Sequence, residues 1–243
     1  MFFIEQNSET IRFMCFILAI ILFSIYEIYF PYYKKYKKNY SRLAVNFLFI
    51  VFDTIIVRLV FPVLVVGAAL ICSKYDIGIL NLFSLPLWLS IIIALLLLDL
   101  GIWLQHYIFH YNCMFWVFHK IHHSDEKMDF STALRFHPIE IILSTIIKSF
   151  YVILIGPPVL AVIIFEILIN VVSIFNHSNI YIPKRFELIL RKIIVTPNMH
   201  RIHHSIVKKE TNSNFGFNLS IWDRIFGKYC HITHEKEKQL IIG

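Results

Sequence analysis

Between Asp99 and Ser124 the chain reads DLGIWLQHYIFHYNCMFWVFHKIHHS, with His106, His110, His119, His122 and His123 inside one short stretch. The spacing is H-x3-H followed by H-x2-H-H. Residues three and four apart share a helix face, so each group can aim its imidazoles into a common space. The second pattern returns in TPNMHRIHHS as His200, His203 and His204. Neutral imidazole ligates iron, zinc or copper through a ring nitrogen. Eight such groups exceed what one four-coordinate zinc uses, and they suit two metal ions. The Glu-x-x-His pairs of carboxylate-bridged di-iron bundles and the H-E-x-x-H of metalloproteases are both missing from the sequence. His231 and His234 form one more H-x2-H near the C-terminus, without a third partner, and read as a solvated tail.

Something has to position these groups, and the remaining chain is strongly apolar, 58% hydrophobic with a mean hydropathy of +0.67. Ile11 to about Phe30 reads as a first membrane helix, followed by the tyrosine and lysine cluster PYYKKYKKNYSR expected where a helix leaves a bilayer. Leu43 to Cys72 reads as a second span carrying Asp53 and Arg58, each of which must face the bundle or water. Leu87 to Gln105 is the third and ends in the first histidines. Ile139 to Asn176 is apolar throughout except for Gly156-Pro157-Pro158, which breaks it into a hairpin of two spans. Pro183 to Val195 mixes apolar residues and bases as a short interfacial helix does. The expected fold is an all-α integral membrane protein with about five transmembrane spans, three single and one Pro-Pro hairpin, under a cytosolic helical cap carrying the histidine cluster. Residues 1–86 form the N-terminal transmembrane helices, 87–230 the histidine-bearing domain and 231–243 a C-terminal tail.

The net charge is +7, and its distribution sets the orientation. Five bases lie between Lys34 and Arg42, against Lys74 alone between spans two and three. The excess of positive charge is expected on the cytoplasmic side, and following the spans brings all three histidine groups out there as well. A basic face of this kind suits an anionic leaflet or an acidic protein, and without a recognisable motif no nucleic-acid partner is expected. Cys15, Cys72, Cys113 and Cys230 are scattered, so neither a disulfide framework nor a zinc ribbon is expected. Glu5 and Glu9 ahead of the first apolar run, with no small-x-small site after it, argue for a retained helix rather than a cleaved signal.

At these residues the sequence resembles the fatty acid hydroxylase superfamily, in its sterol-desaturase-like branch. The words FHKIHHS, RFHPIE, FNHSN, TPNMHRIHHS and SNFGFNLSIWDRIFGKY carry the resemblance, over about Leu87 to Tyr229. It implies an integral-membrane, non-haem di-iron oxygenase that uses O2 to hydroxylate or desaturate a lipid. By position His106, His110, His119, His122, His123, His200, His203 and His204 would be iron ligands, with His177 the ninth and His137 the tenth. His137 also suits a helix start, since Pro138 follows it. Iron is the expected metal, with zinc a substitute in purified protein.

Ligand imidazoles are commonly held through their remaining N–H by outer carboxylates or amides. Asp99, two helical turns before His106, Asp223 and Asp125 are candidates, with Asn179 and Asn198 beside them. No dinucleotide fingerprint, haem-attachment motif or fused cytochrome b5 word is present, so electrons would come from a separate ferredoxin or cytochrome-type donor. Lys120, Lys127, Arg135, Lys208 and Lys209 could steer an acidic donor or contact headgroups. The alternative is a non-enzymatic histidine-rich metal carrier or sensor in the membrane.

Overall fold

The computed structural model describes residues 2–34, 39–61, 65–232, 236 and 239–243. His234 and Lys35, Lys37 and Lys38 of the basic cluster lie outside them. In chain order the helices are α1 (Phe2–Gln6), α2 (Ser8–Tyr29), α3 (Tyr40–Val60), α4 (Val65–Tyr75), α5 (Leu87–Tyr111) and α6 (Cys113–His123). They continue as α7 (Pro138–Ile155), α8 (Val159–His177), α9 (Lys184–Leu190), α10 (Pro197–His203), α11 (Lys208–Thr211) and α12 (Ile221–Ile225). The described residues contain no β-strand. Among the described residues five segments are long and apolar enough to cross a membrane: Ser8–Tyr29, Tyr40–Leu82, Leu87–Tyr111, Pro138–Ile155 and Val159–His177.

The second segment contains the span expected over Leu43–Cys72, built from two helices, α3 and α4. Phe61 between α3 and α4 is extended, with φ −118° and ψ 93°. It precedes Pro62 in the sequence, and a residue before proline is pushed out of the helical region by the ring. The hairpin forms where the sequence puts it. Gly156 caps α7 in the left-handed conformation at φ 64°, and Pro158 starts α8. A Cβ on Gly156 would lie 2.3 Å from the Ile77 carbonyl oxygen, and one on Gly78 would lie 2.3 Å from the Gly156 nitrogen, so two glycines let the backbones touch.

Small side chains let the spans approach closely. Ala69, Ala94 and Ala161 are fully buried at the meeting of α4, α5, α7 and α8, and Gly101 of α5 lies against the Tyr151 ring of α7. Large side chains face outward instead, including Leu18, Leu22 and Ile25 of α2 and Leu48, Phe52 and Leu59 of α3. That inversion is unfavourable in water and neutral in hydrocarbon. Asp53 of α3 is buried, whereas Arg58 is exposed and pairs with Glu9 of α2 at 3.1 Å.

One end of the bundle carries all the histidine segments. Glu27, near the end of α2, accepts hydrogen bonds from the backbone N–H of Phe130 and of Asn179, both at 2.7 Å. Arg42, at the start of α3, reaches Asp125 and Asp129 at 2.6 Å each, and the Lys127 carbonyl. Asn46 adds bonds to Asp125 and Ser131. These contacts pin the loop between α6 and α7 over the ends of α2 and α3. The region read as interfacial forms α9 and a following turn, with Phe186, Ile189 and Ile193 exposed while Glu187 and Arg191 are buried and paired at 2.5 Å.

Candidate metal centre

Nine histidines converge at this end, each no more than 9% exposed. They form two groups whose candidate ligand atoms lie within 4.8 Å of one another: His106, His110, His119, His123 and His203 in the first, and His122, His177, His200 and His204 in the second. Helix geometry explains the sorting. In α6, His119 and His123 are four apart and stay together, while His122 crosses to the other group. In α10 and its C-cap, His200 and His204 stay together and His203 crosses. Adjacent residues on a helix point about 100° apart, so each H-x2-H-H box serves both groups. The groups share a wall: the His123 and His204 rings stack at 4.3 Å between centroids.

Hydrogen bonds at Nδ1 set the tautomers. His106 donates to the Phe215 carbonyl at 2.8 Å, His177 to the Ser173 carbonyl at 2.7 Å, His203 to the Ser213 carbonyl at 2.7 Å and His122 to the Arg135 carbonyl at 3.2 Å. His119 Nδ1 meets the Glu140 carboxylate at 2.7 Å. A carbonyl can only accept, so each such Nδ1 carries the proton and each Nε2 presents a lone pair. The Nε2 atoms of His106, His119, His123 and His203 are buried with no hydrogen-bond partner among the described residues. In the second group His177 Nε2 stands 3.0 Å from His122 Nε2 and 3.0 Å from His200 Nε2. His122 and His177 have both placed their protons on Nδ1, so their facing lone pairs repel unless a cation lies among them. Buried lone pairs aimed at one another are what a metal ion would satisfy.

Burial disfavours the charged form of imidazoles on α6, α10 and its cap. It holds His122, His123, His200 and His204 well below the usual histidine range, with neighbouring histidines adding to the effect, and takes His203 down to about 3. Neutral imidazole is the form that ligates.

The other expected residues fall elsewhere. His137 is in neither group: its Nδ1 accepts from the Ile139 N–H at 3.1 Å as the N-cap of α7, and its ring lies by Phe118. Asp99 accepts from Asn218, the Leu219 N–H and Trp222, tying α5 to the loop before α12. Asp223 accepts from Trp103 and from the N–H groups of Phe215 and Gly216, so it acts on His106 only through the Phe215 carbonyl. Burial pushes the Asp223 carboxyl up to about 6. Asn179 bonds Tyr33, Asn198 accepts from Arg201, and Asp125 meets Arg42. Arg135 is committed internally to the Ile121 carbonyl, Asn46 and Ser124.

The direct carboxylate partner, Glu140, was missed, although it stands in RFHPIE in the first turn of the helix that Pro138 opens. The carbonyl partners could not be read at all, because every residue has one.

A cavity of about 160 Å³ opens onto His106 and His119 and runs into the bundle past Gln105 and Ser144 to Lys148. Its walls include Phe16, Ile50, Phe109, Leu134 and Ile174.

Comparison with known proteins identifies relatives of the chain. The model of the fatty acid hydroxylase family matches residues 91–228. The chain is 28% identical over 144 residues to ornithine lipid hydroxylase OlsE of Rhizobium tropici, covering 59% of this chain and 43% of that protein. It is 33% identical over 172 residues to human alkylglycerol monooxygenase, covering 67% and 35% respectively. To the Delta(7)-sterol 5(6)-desaturase of Eremothecium gossypii it is 26% identical over 147 residues, covering 60% and 39%. The chain thus spans less than half the length of these relatives. No solved structure matches it.

Proposed function

Because the chain belongs to the fatty acid hydroxylase family, we propose that it is a membrane-bound lipid oxygenase with a non-haem di-iron centre. The facing Nε2 lone pairs of His122 and His177, within nine buried histidines, carry this reading. Imidazole suits iron, and five nitrogens in one group with four in the other are enough to hold a pair. Two irons held there would activate O2 for attack on a lipid C–H bond. The carbonyls of Phe215, Arg135, Ser173 and Ser213, with Glu140, fix ring orientation so that each Nε2 faces inward.

The cavity beside His106 and His119 would take the substrate. Its apolar walls exclude water and accommodate an acyl or similar chain. The named activities of the relatives, acting on an ornithine lipid, an alkylglycerol or a sterol, support a lipid substrate without choosing among them. Hydroxylation consumes two electrons and two protons for each O2 and releases one water, so an external reductant is required. A separate ferredoxin or cytochrome-type protein would meet the basic cap, where Lys120, Lys208 and Lys209 are exposed. The excess of bases between Lys34 and Arg42 supports a cytoplasmic cap.

The test is purification from membranes with metal analysis, paired with lipid mass spectrometry on a deletion strain and its complement. The expected result is two irons per chain and an O2-dependent lipid gaining one oxygen or losing two hydrogens. Freely exchanging zinc without any lipid change would instead favour a metal carrier.

A further inference from the structure

The cavity is not uniformly apolar. Besides Glu140 beside His119, its lining includes Gln105, Ser144 and Lys148. Gln105 Nε2 donates to Ser144 Oγ at 3.0 Å, and one turn further along α7 Lys148 enters the lining. Lys148 Nζ bonds Glu166 at 3.0 Å, and Arg12 bonds the other oxygen of the same carboxylate at 2.7 Å. Two cations therefore share one anion. All three side chains are largely buried, at 21%, 14% and 12% exposure for Lys148, Arg12 and Glu166. An uncompensated positive charge inside a bilayer is costly and calls for an anionic partner. Among the described residues Lys148 Nζ bonds Glu166 alone, so protons remain for another acceptor on the cavity side.

Glu140, bound to His119, marks the histidine end of the cavity. Lys148 lies eight residues on along α7, about 12 Å at the helical rise. The two ends thus differ in sign, carboxylate by the histidines and ammonium at depth.

We propose that Lys148, assisted by Gln105 and Ser144, is an anchor for an oxyanion on the lipid substrate, holding that group some two helical turns of α7 from Glu140 at the histidine end, where a carbon of the chain is presented to His106 and His119. This specificity site rests on the oxygenase reading above. It selects lipids with a carboxylate or phosphate at that distance over neutral ones of equal length. Lys148 is here a binding residue and takes no part in the bond changes.

Equilibrium binding of radiolabelled palmitate and methyl palmitate to the detergent-solubilised holoprotein tests it, with metal content measured on every sample. Wild type should hold palmitate at least about tenfold more tightly than its ester, since a hydrogen bond to a charged group is worth that much. Lys148→Met should remove the preference at unchanged metal content, and Lys148→Arg should keep most of it. Ser144→Val, which leaves the ion cluster intact, should weaken palmitate several-fold and decides the matter if Lys148→Met does not fold. Equal affinity for acid and ester in wild type overturns the anchor, as does unaltered palmitate binding in Lys148→Met or, should that variant not fold, in Ser144→Val. Either leaves the oxygenase reading standing, whereas wild-type holoprotein that retains no iron overturns that reading instead. Hexadecyl phosphate in the same assay separates the two oxyanions: tighter binding than palmitate assigns a phosphate, weaker binding a carboxylate.

Discussion

The two histidine groups differ in their surroundings more than in their composition. The first, around His106, His119 and His203, borders the lipid-sized cavity and has the one carboxylate, Glu140, among its hydrogen-bond partners. In the second, His122 and His177 are oriented by backbone carbonyls, as His106 and His203 are in the first, and the His122 ring is stacked on Phe136 at 4.4 Å. Both kinds of partner orient the ring and raise its basicity, but only the carboxylate brings a formal negative charge. On the proposed oxygenase reading, the first group, which borders the cavity, is the one a substrate would meet.

The largest test of that contrast is to remove one ligand from each side. His119→Ala and His200→Ala should each abolish turnover, by more than about a hundredfold, since a ligand should cost more than an outer partner. Metal analysis should find the loss concentrated in the group that was cut, with membrane insertion intact. Retained activity in either variant would remove that histidine from the ligand set.

Glu140→Gln should then weaken the first group selectively, by roughly ten- to a hundredfold in metal affinity or rate. No change in either measurement would reduce Glu140 to a structural acid and erase the distinction between the groups.

Asp223→Ala probes the support behind His106. It strands the Trp103, Phe215 and Gly216 donors, and a loss of about 2–4 kcal/mol in denaturation experiments is expected from unsatisfied buried groups. A melting profile like that of wild type would mean that this loop does not need its carboxylate.

Acid should produce the most gradual change. Histidines buried as neutral groups resist protonation when folded and accept it when unfolded. Stability is therefore present above about pH 6.5 and falls as pH drops from there toward about 3, the folded value of His203. Metal should leave over the same window, because protons compete for the ligand nitrogens. Metal retention and an unchanged melting temperature at pH 5 would count against neutral ligation.

Local chemistry made much of this readable beforehand. The Gly156-Pro157-Pro158 break, the apolar runs and the histidine spacings are each set by residues close in sequence, and each has its counterpart in the structure. Pro62 carries the same kind of signal, and α3 ends just before it, although the apolar stretch around it masks the break. Asp99 and Asp223 were sensible candidates by type and distance, yet both brace the loop around α12 instead of touching an imidazole. Carbonyl partners left no signal, since no side chain announces them.

The sequence by itself determined which residues could bind metal and that they would gather at the ends of membrane helices and in the segments that follow them, because periodicity and hydropathy are short-range properties. Spacings of three and four both qualify as one helix face, however, so it could not say that His122 and His203 would cross to partners in the opposite group. Only the packing of α5, α6, α8 and α10 decided that, since the direction of an imidazole acquires a partner only when another helix is fixed against it.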